Sequence, residues 1–448
     1  MSLFTTDPLH LRYRWRFLCP RITFSLIFLT VGIVHLPDLV YVQGASQKGV
    51  VGEIDGGTLP SVGNLKLEVE RLKKALALNP TDAEAHNRLG HVLIELKEYD
   101  EAVGEFLTCL KLRPNSLQFA NDLALAFTKI GELDQAITLF ESLIRDNPQS
   151  PEIHSNYGLA LWQRSAANHS NDLAPVIAAF RKALEYRPDD PGLYNNLGQA
   201  LNESGDVAGA LECFRKAIQI RHDYAVARTN LGSALRKTGR TEEALREIRI
   251  ALAYKPDCAE ANYEMGQLLR DSGDLDSAVE KFRRTILLRP DNPEAYYALA
   301  ITLKRLNRTT EAAQALEKFN ALSKAKKSSY EARLHNSKGL QAAREGDLSR
   351  AIEEFSEAIR IDNQSAHVHN NLGWTLARKK DLPGAIRAFR QAILLRNDYA
   401  TAYFNLGLAL WSTGQEVEAR EMLQKATQLD PRLKLPKSLA GVGAPEPE

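Results

Sequence analysis

The residues able to do covalent or metal chemistry are few and scattered. His86 and His91 are five positions apart, and His367 and His369 are two apart. A helical zinc pair needs imidazoles four residues apart on one face, so neither pair has ligand spacing and both read as surface or groove histidines. Cys109, Cys213 and Cys258 fall in separate stretches without a Cys-x-x-Cys pair; each reads as a small buried apolar side chain. No Gly-x-Gly-x-x-Gly, no Gly-Lys-Ser/Thr phosphate loop and no His-Glu-x-x-His occurs. The expected protein is therefore not an enzyme and takes no metal or cofactor.

Non-covalent chemistry is better represented, because certain residues recur at fixed spacing. Asn156, Asn196, Asn230, Asn371 and Asn405 occupy equivalent places 34 residues apart, or 34 plus an insertion. A side-chain amide both donates and accepts, so a ladder of them suits the backbone of an extended peptide; equally, such amides could bridge neighbouring helices. Arg88, Asp122, Glu264, Ala298 and Ser337 interrupt the ladder. Arg236, Arg270 and Lys304 form a 34-spaced basic stripe with Lys237 and Arg305 beside them. The stripe suits an acidic segment or a carboxylate terminus, unless acids such as Asp271 merely share its solvent. Trp162, Trp374 and Trp411 are binding anchors if they face a groove and packing residues if they do not.

These spacings belong to a repeat. NNLGQALNESGDVAGALECFRKAIQIRHD (195–223), TNLGSALRKTGRTEEALREIRIALAYKPD (229–257) and NNLGWTLARKKDLPGAIRAFRQAILLRND (370–398) align at multiples of 34 once insertions are allowed. Ten units follow from Ala83: 83–116, 117–150, 151–190, 191–224, 225–258, 259–292, 293–331, 332–365, 366–399 and 400–433. Position 8 is Gly in eight units, position 20 is Ala in nine and position 24 is Phe in seven, with a closing Pro such as Pro114, Pro148 or Pro256. Apolar residues at i, i+3 and i+4 predict two amphipathic helices per unit. Small residues at 8 and 20 let these cross closely, Phe at 24 is expected to fill space against the neighbouring unit, and Pro ends the second helix. A single unit cannot bury its apolar face, so neighbours must stack.

The pattern resembles the tetratricopeptide repeat, over about 80% of the chain. The asparagines resemble those in the repeat region of O-linked N-acetylglucosamine transferase, without its catalytic domain. The resemblance implies an all-α fold: a right-handed α-solenoid of about ten stacked helix-turn-helix repeats, with a concave groove that binds polypeptide. The lysines by which chaperone-binding relatives grip a terminal carboxylate have no counterpart, since position 5 reads Asn87, Asn121, Ser155, Asn195 and Thr229. Two insertions stand out. SAANHSND (165–172) lengthens a loop within unit three, and FNALSKAKKSSYEA (319–332) predicts a prolonged helix and a local break in stacking.

The first residues differ in kind. Arg12, Arg14, Arg16 and Arg21 precede the uncharged run Ile22–Val34, and Gly44, Ala45 and Ser46 follow. A basic flank and a 7–15-residue apolar core read as an export signal; Ile22–Val42 is also long enough for an uncleaved anchor, although Pro37 and Asp38 oppose one. The expected organisation is residues 1–43 as export signal or membrane anchor and 44–64 as flexible linker. A solenoid of a half repeat and repeats 1–7 over 65–331 follows, then repeats 8–10 over 332–433 and a tail over 434–448. With 57 basic and 56 acidic residues, general nucleic-acid binding is excluded. The expected function is a non-enzymatic scaffold or assembly factor for other proteins or peptide segments, exported to the cell envelope and membrane-attached if the N-terminal segment is uncleaved. The alternative is a substrate-recruiting or regulatory subunit of an enzyme or secretion complex. Self-association through an uncapped last repeat is a further possibility, as no capping helix follows Leu433.

Overall fold

The structure, a computed structural model, describes residues 62–168 and 170–433; the expected export segment and tail lie outside them. The chain runs through α1 (Val62–Leu78), α2 (Ala83–Glu95), α3 (Tyr99–Leu112), α4 (Leu117–Ile130), α5 (Leu133–Asp146), α6 (Pro151–Ala167) and α7 (Ala174–Tyr186). It continues with α8 (Pro191–Ser204), α9 (Val207–Ile220), α10 (Ala225–Lys237), α11 (Thr241–Tyr254), α12 (Ala259–Ser272), α13 (Leu275–Leu288) and α14 (Pro293–Arg305). It ends with α15 (Thr309–Glu345), α16 (Leu348–Ile361), α17 (Ala366–Arg378), α18 (Leu382–Leu395), α19 (Ala400–Ser412) and α20 (Glu416–Leu429). Among the described residues every regular element is a helix, and none is long and apolar enough to cross a membrane.

Local sequence sets the helix ends. The side chains of Asp82, Ser116, Ser150, Asp190, Asn292 and Ser365 each accept a hydrogen bond from a backbone N–H of the first turn that follows, satisfying donors that have no partner within the helix. Pro151, Pro191 and Pro293 open their helices, where no N–H is needed. Between the two helices of a unit, position 15 is left-handed in nine units: Gly131, Gly205, Gly239, Gly273, Gly346 and Gly414, and the non-glycines Lys97, Asn307 and Lys380. In two of the units without a closing Pro, a cation instead stacks over the tyrosine three residues on. The Arg221 guanidinium lies 3.6 Å above the Tyr224 ring, and Arg396 lies 3.7 Å above Tyr399.

The core is one motif repeated. A Cβ placed on Gly90, Gly198, Gly266, Gly339 or Gly373 would stand 2.6–2.7 Å from the position-24 Phe ring of the same unit, and Ile248 and Leu423 take that role over Gly232 and Gly407. The ring therefore seats on the glycine of its own unit, and Phe282 and Phe389 also share core clusters with the first helix of the next repeat, as expected. The seven phenylalanines at this position lie in the interior, with Phe140, Phe180, Phe214 and Phe282 wholly buried.

The described chain forms two compact units, residues 133–327 and residues 62–132 with 328–433. In the first, α8, α10, α12 and α14 also touch one another directly, which makes the first helices of its repeats the inner layer. The insertion in unit three extends α6 to Ala167 and leaves a short loop before α7. In the second, α17 and α19 adjoin in the same way, and the first and last repeats of the array come together. The basic stretch after Phe319 continues within α15, a single helix of 37 residues.

Candidate polypeptide-binding site

The repeats of residues 133–327 carry Asn156, Asn196, Asn230, Arg236, Arg270, Lys304 and Trp162, and the other compact unit carries Asn371, Asn405, Trp374 and Trp411. Asn230 donates through Nδ2 to Asn195 Oδ1 at 2.8 Å, one position earlier in the preceding repeat. The other compact unit repeats the bond: Asn371 donates to Asn336 at 3.4 Å and Asn405 to Asn370 at 3.1 Å. Asn87 donates to Asp122 at 2.8 Å in the same register. These amides join consecutive first helices at a spacing of 35 residues. Asn371 is buried; Asn230 and Asn405 remain partly exposed, as do Asn156 and Asn196.

The basic stripe is not uniform. Arg236 donates to Glu264 at 3.1 Å and pairs with Asp271 at 3.4 Å. Arg270 touches only its chain neighbour Asp271, at 3.4 Å, and its backbone carbonyl accepts from Arg305 at 3.3 Å. Lys237, Lys304 and Arg305 are exposed. The free positive charge therefore lies towards the later repeats of this unit.

The tryptophans divide. Trp162 is 3% exposed, donates to Glu203 Oε2 at 2.8 Å and meets Phe180 edge-on, so its ring is held inside the repeat. Burial raises the Glu203 carboxyl above its ordinary value against that bond. Trp374 and Trp411 are partly buried on the apolar cluster of α17–α20, with Arg378 4.8 Å and Arg420 5.9 Å from their ring centres.

Of the histidines expected at the surface or in a groove, His86, His367 and His369 are buried, whereas His91 stays partly exposed beside Asp122. His86, His154 and His369 occupy position 4 and donate to the carbonyls of Pro80, Pro148 and Asn363, six residues earlier, at 3.2, 2.8 and 3.2 Å. Arg228 and Asn262 do the same towards His222 and Pro256. The shared signal, a donor at position 4, is visible in the sequence only once the carbonyl it serves is known. His367 is buried against Tyr399, whose hydroxyl lies 3.0 Å from Nδ1; burial, then Arg396, pulls its pKa down to about 3. Burial pushes the Cys109 thiol up to about 12 and Cys213 to about 11, so neither supplies a thiolate nucleophile near neutrality. Among the described residues no cluster of three metal-ligating side chains occurs.

Models of the tetratricopeptide repeat match residues 72–104, 124–164, 189–257, 229–286, 263–322, 297–366, 336–393, 375–414 and 400–433. No curated protein matches the chain. Among solved structures, MamA (residues 41 to the end) from Desulfovibrio magneticus RS-1 is 21% identical, with 38% of this chain and 96% of that one covered at a TM-score of 0.32. A human IFIT1 dimer with m7Gppp-AAAA is 15% identical over 81% of this chain and 94% of that one, TM-score 0.41. The Cut9 and Hcn1 hetero-tetramer of APC/C is 18% identical over 84% and 81%, TM-score 0.34. At these TM-scores none of the three bears on function.

Proposed function

Because the chain belongs to the tetratricopeptide-repeat family, whose repeats serve as protein–protein interaction scaffolds, we propose that it is a non-enzymatic scaffold or assembly factor of the cell envelope that holds acidic polypeptide segments along the inner layer of α10, α12 and α14. The observation that carries this reading is the uneven neutralisation of the stripe. Arg236 is engaged by Glu264 and Asp271, whereas Lys237, Lys304 and Arg305 face solvent and Arg270 has only a long contact to its own neighbour. Positive charge that the protein leaves unmatched on a curved inner face attracts a complementary segment and speeds its encounter. Asn196 and Asn230, partly exposed on the adjoining helices, supply amides to the segment's backbone.

Titration of the full chain with a fluorescent Glu/Ser dodecapeptide tests the site. Affinity should fall roughly tenfold in Arg270→Glu/Lys304→Glu and fall again with salt; equal affinity in wild type and variant rejects it. The envelope location rests on the four arginines before Ile22–Val34. Fractionation with intact-mass measurement checks it, and recovery of a chain beginning at Met1 in the soluble cytoplasmic fraction would refute export.

A further inference from the structure

The two ends of the repeat array meet within one compact unit, and charge joins them. Arg396, at the end of α18, pairs with Glu98 and, at 3.2 Å, with Glu101, both at the start of α3. Arg432, beyond α20, pairs with Glu105 of α3, which also takes the His86 imidazole at 2.6 Å. Lys73 of α1 lies 3.3 Å from Glu101 and 3.9 Å from Asp430, and Asp430 holds Arg432 at 2.7 Å. Lys66 reaches Asp398 at 3.2 Å. Apart from the separate Lys66–Asp398 pair and the reverse-sense Lys73–Asp430 contact, the joint sets an acidic face on the first repeat (Glu98, Glu101, Glu105) against basic residues on the last two (Arg396, Arg432).

We propose that this contact is a reversible electrostatic clasp, in which the acidic face of repeat 1 is a docking surface for the basic end of the array, and that the freed faces pair head to tail with a second copy of the chain. Three observations carry the proposal. Arg396 to Glu98 and Glu101, Arg432 to Glu105 and Lys66 to Asp398 join the ends through charged side chains. Apolar residues on the bridging helices stay in solvent, with Leu67 and Leu78 on α1 66% and 91% exposed and Leu394 on α18 77% exposed, so the joint does not cover them. The groups are also partly withdrawn from water, the Glu105 and Lys73 side chains being 8% and 12% exposed; the desolvation of such charges offsets most of their attraction. With little net stability left, the loss of the exposed Lys66–Asp398 pair and the partial screening of the others is enough for salt to release the contact. Because its two halves lie at opposite ends of one chain, the same contact can form between two chains without any new surface.

The test uses the full chain. Amide exchange in α1 and α20 should rise at least about tenfold between about 0.05 M and about 1 M NaCl, where screening contracts to a few ångströms, while α10 keeps its rate. Exchange at both ends that ignores salt overturns the clasp. Arg396→Glu and Glu98→Arg/Glu101→Arg each set like charges against each other, so each variant alone should be monomeric with fast-exchanging ends. Mixed in equal amounts at low salt they carry complementary faces and should show twice the monomer mass by light scattering; a mixture that stays monomeric overturns pairing between copies. Glu98→Arg/Glu101→Arg/Arg396→Glu, which restores attraction at position 396 while leaving residue 101 against Lys73, should slow exchange at the ends relative to either reversal alone. Were a reversal variant to misfold, the salt response of the wild type would decide alone.

Discussion

The ring of Phe214 occupies the space that a side chain on Gly198 would need: a Cβ there would stand 2.7 Å from Phe214 Cε1. The contact recurs through the array, and it explains why the glycine and the ring sit 16 positions apart in units without an insertion between them, as in Gly90–Phe106, Gly198–Phe214, Gly266–Phe282, Gly339–Phe355 and Gly373–Phe389. One helix approaches the other closely only because the ring lies where the glycine leaves room.

Gly198→Ala should therefore destabilise the chain by about 1–3 kcal/mol, the usual consequence of forcing extra volume into a packed core. Gly158→Ala should cost less, since its nearest ring atom is 3.1 Å away. Gly104, with nothing within 4 Å of an added Cβ, lies inside α3, and Gly104→Ala should stabilise by about 0.5–1 kcal/mol. Urea unfolding of the three variants checks the order; a neutral Gly198→Ala would remove the steric account.

Position 15 offers the converse. Lys97 and Lys380 hold φ of 64° and 69° where other units place glycine. A non-glycine residue there costs roughly 1 kcal/mol in crowding between Cβ and backbone, so Lys380→Gly should raise stability by up to about that amount, less the added freedom of the unfolded chain. A lower denaturation midpoint for Lys380→Gly would show that the Lys380 side chain contributes more than its backbone strain removes.

The repeat phase, helix pairing and closing turns were legible because each is written ten times in residues with strong local preferences, such as Asp190 before Pro191. Position 15 carried an equally regular signal in Gly131, Gly205 and Gly273 that a reading centred on positions 8, 20 and 24 passed over. The site was less legible. Asn196 and Asn230 look alike in sequence, yet the structure gives Asn230 a partner in Asn195, and no periodicity distinguishes an amide that bridges repeats from one that faces a groove. The clasp was beyond sequence reading, because Glu98 and Arg396 are 298 residues apart and each sits where a solvated charge is ordinary.

Asn195 and Asn230 should behave as a coupled pair. Asn230→Ala strands the buried Asn195 oxygen and should cost about 1–3 kcal/mol, whereas Asn196→Ala should cost little. A double-mutant cycle with Asn195→Ala measures the coupling, expected at about 1 kcal/mol or more; independent, additive effects would argue against a bridge.

His367 ties stability to pH. Its folded pKa of about 3 lies below the ordinary value near 6.5. As pH falls through 6.5 the unfolded chain gains a proton that the buried imidazole refuses, so stability declines by about 1.4 kcal/mol per pH unit from this group. His369, also pulled down by burial, acts with the same sign. Between pH 6.5 and 5, above the range of the carboxyls, His367→Gln should flatten the decline by about 2 kcal/mol. An unchanged slope in the variant would place the proton uptake elsewhere.

Position 4 predicts which replacements the inter-repeat turns accept. His154 reaches the Pro148 carbonyl at 2.8 Å, and Asn262 reaches the equivalent Pro256 carbonyl at 3.0 Å from the same place in its own unit. The requirement is thus a donor of sufficient reach and not an imidazole. His154→Asn should keep the bond and stay within about 0.5 kcal/mol of wild type, whereas His154→Leu buries the carbonyl without a donor and should cost about 1–3 kcal/mol. Thermal and urea unfolding distinguish the two. If leucine is tolerated as well as asparagine, the carbonyl is served by solvent and the side chain at position 4 acts only by packing.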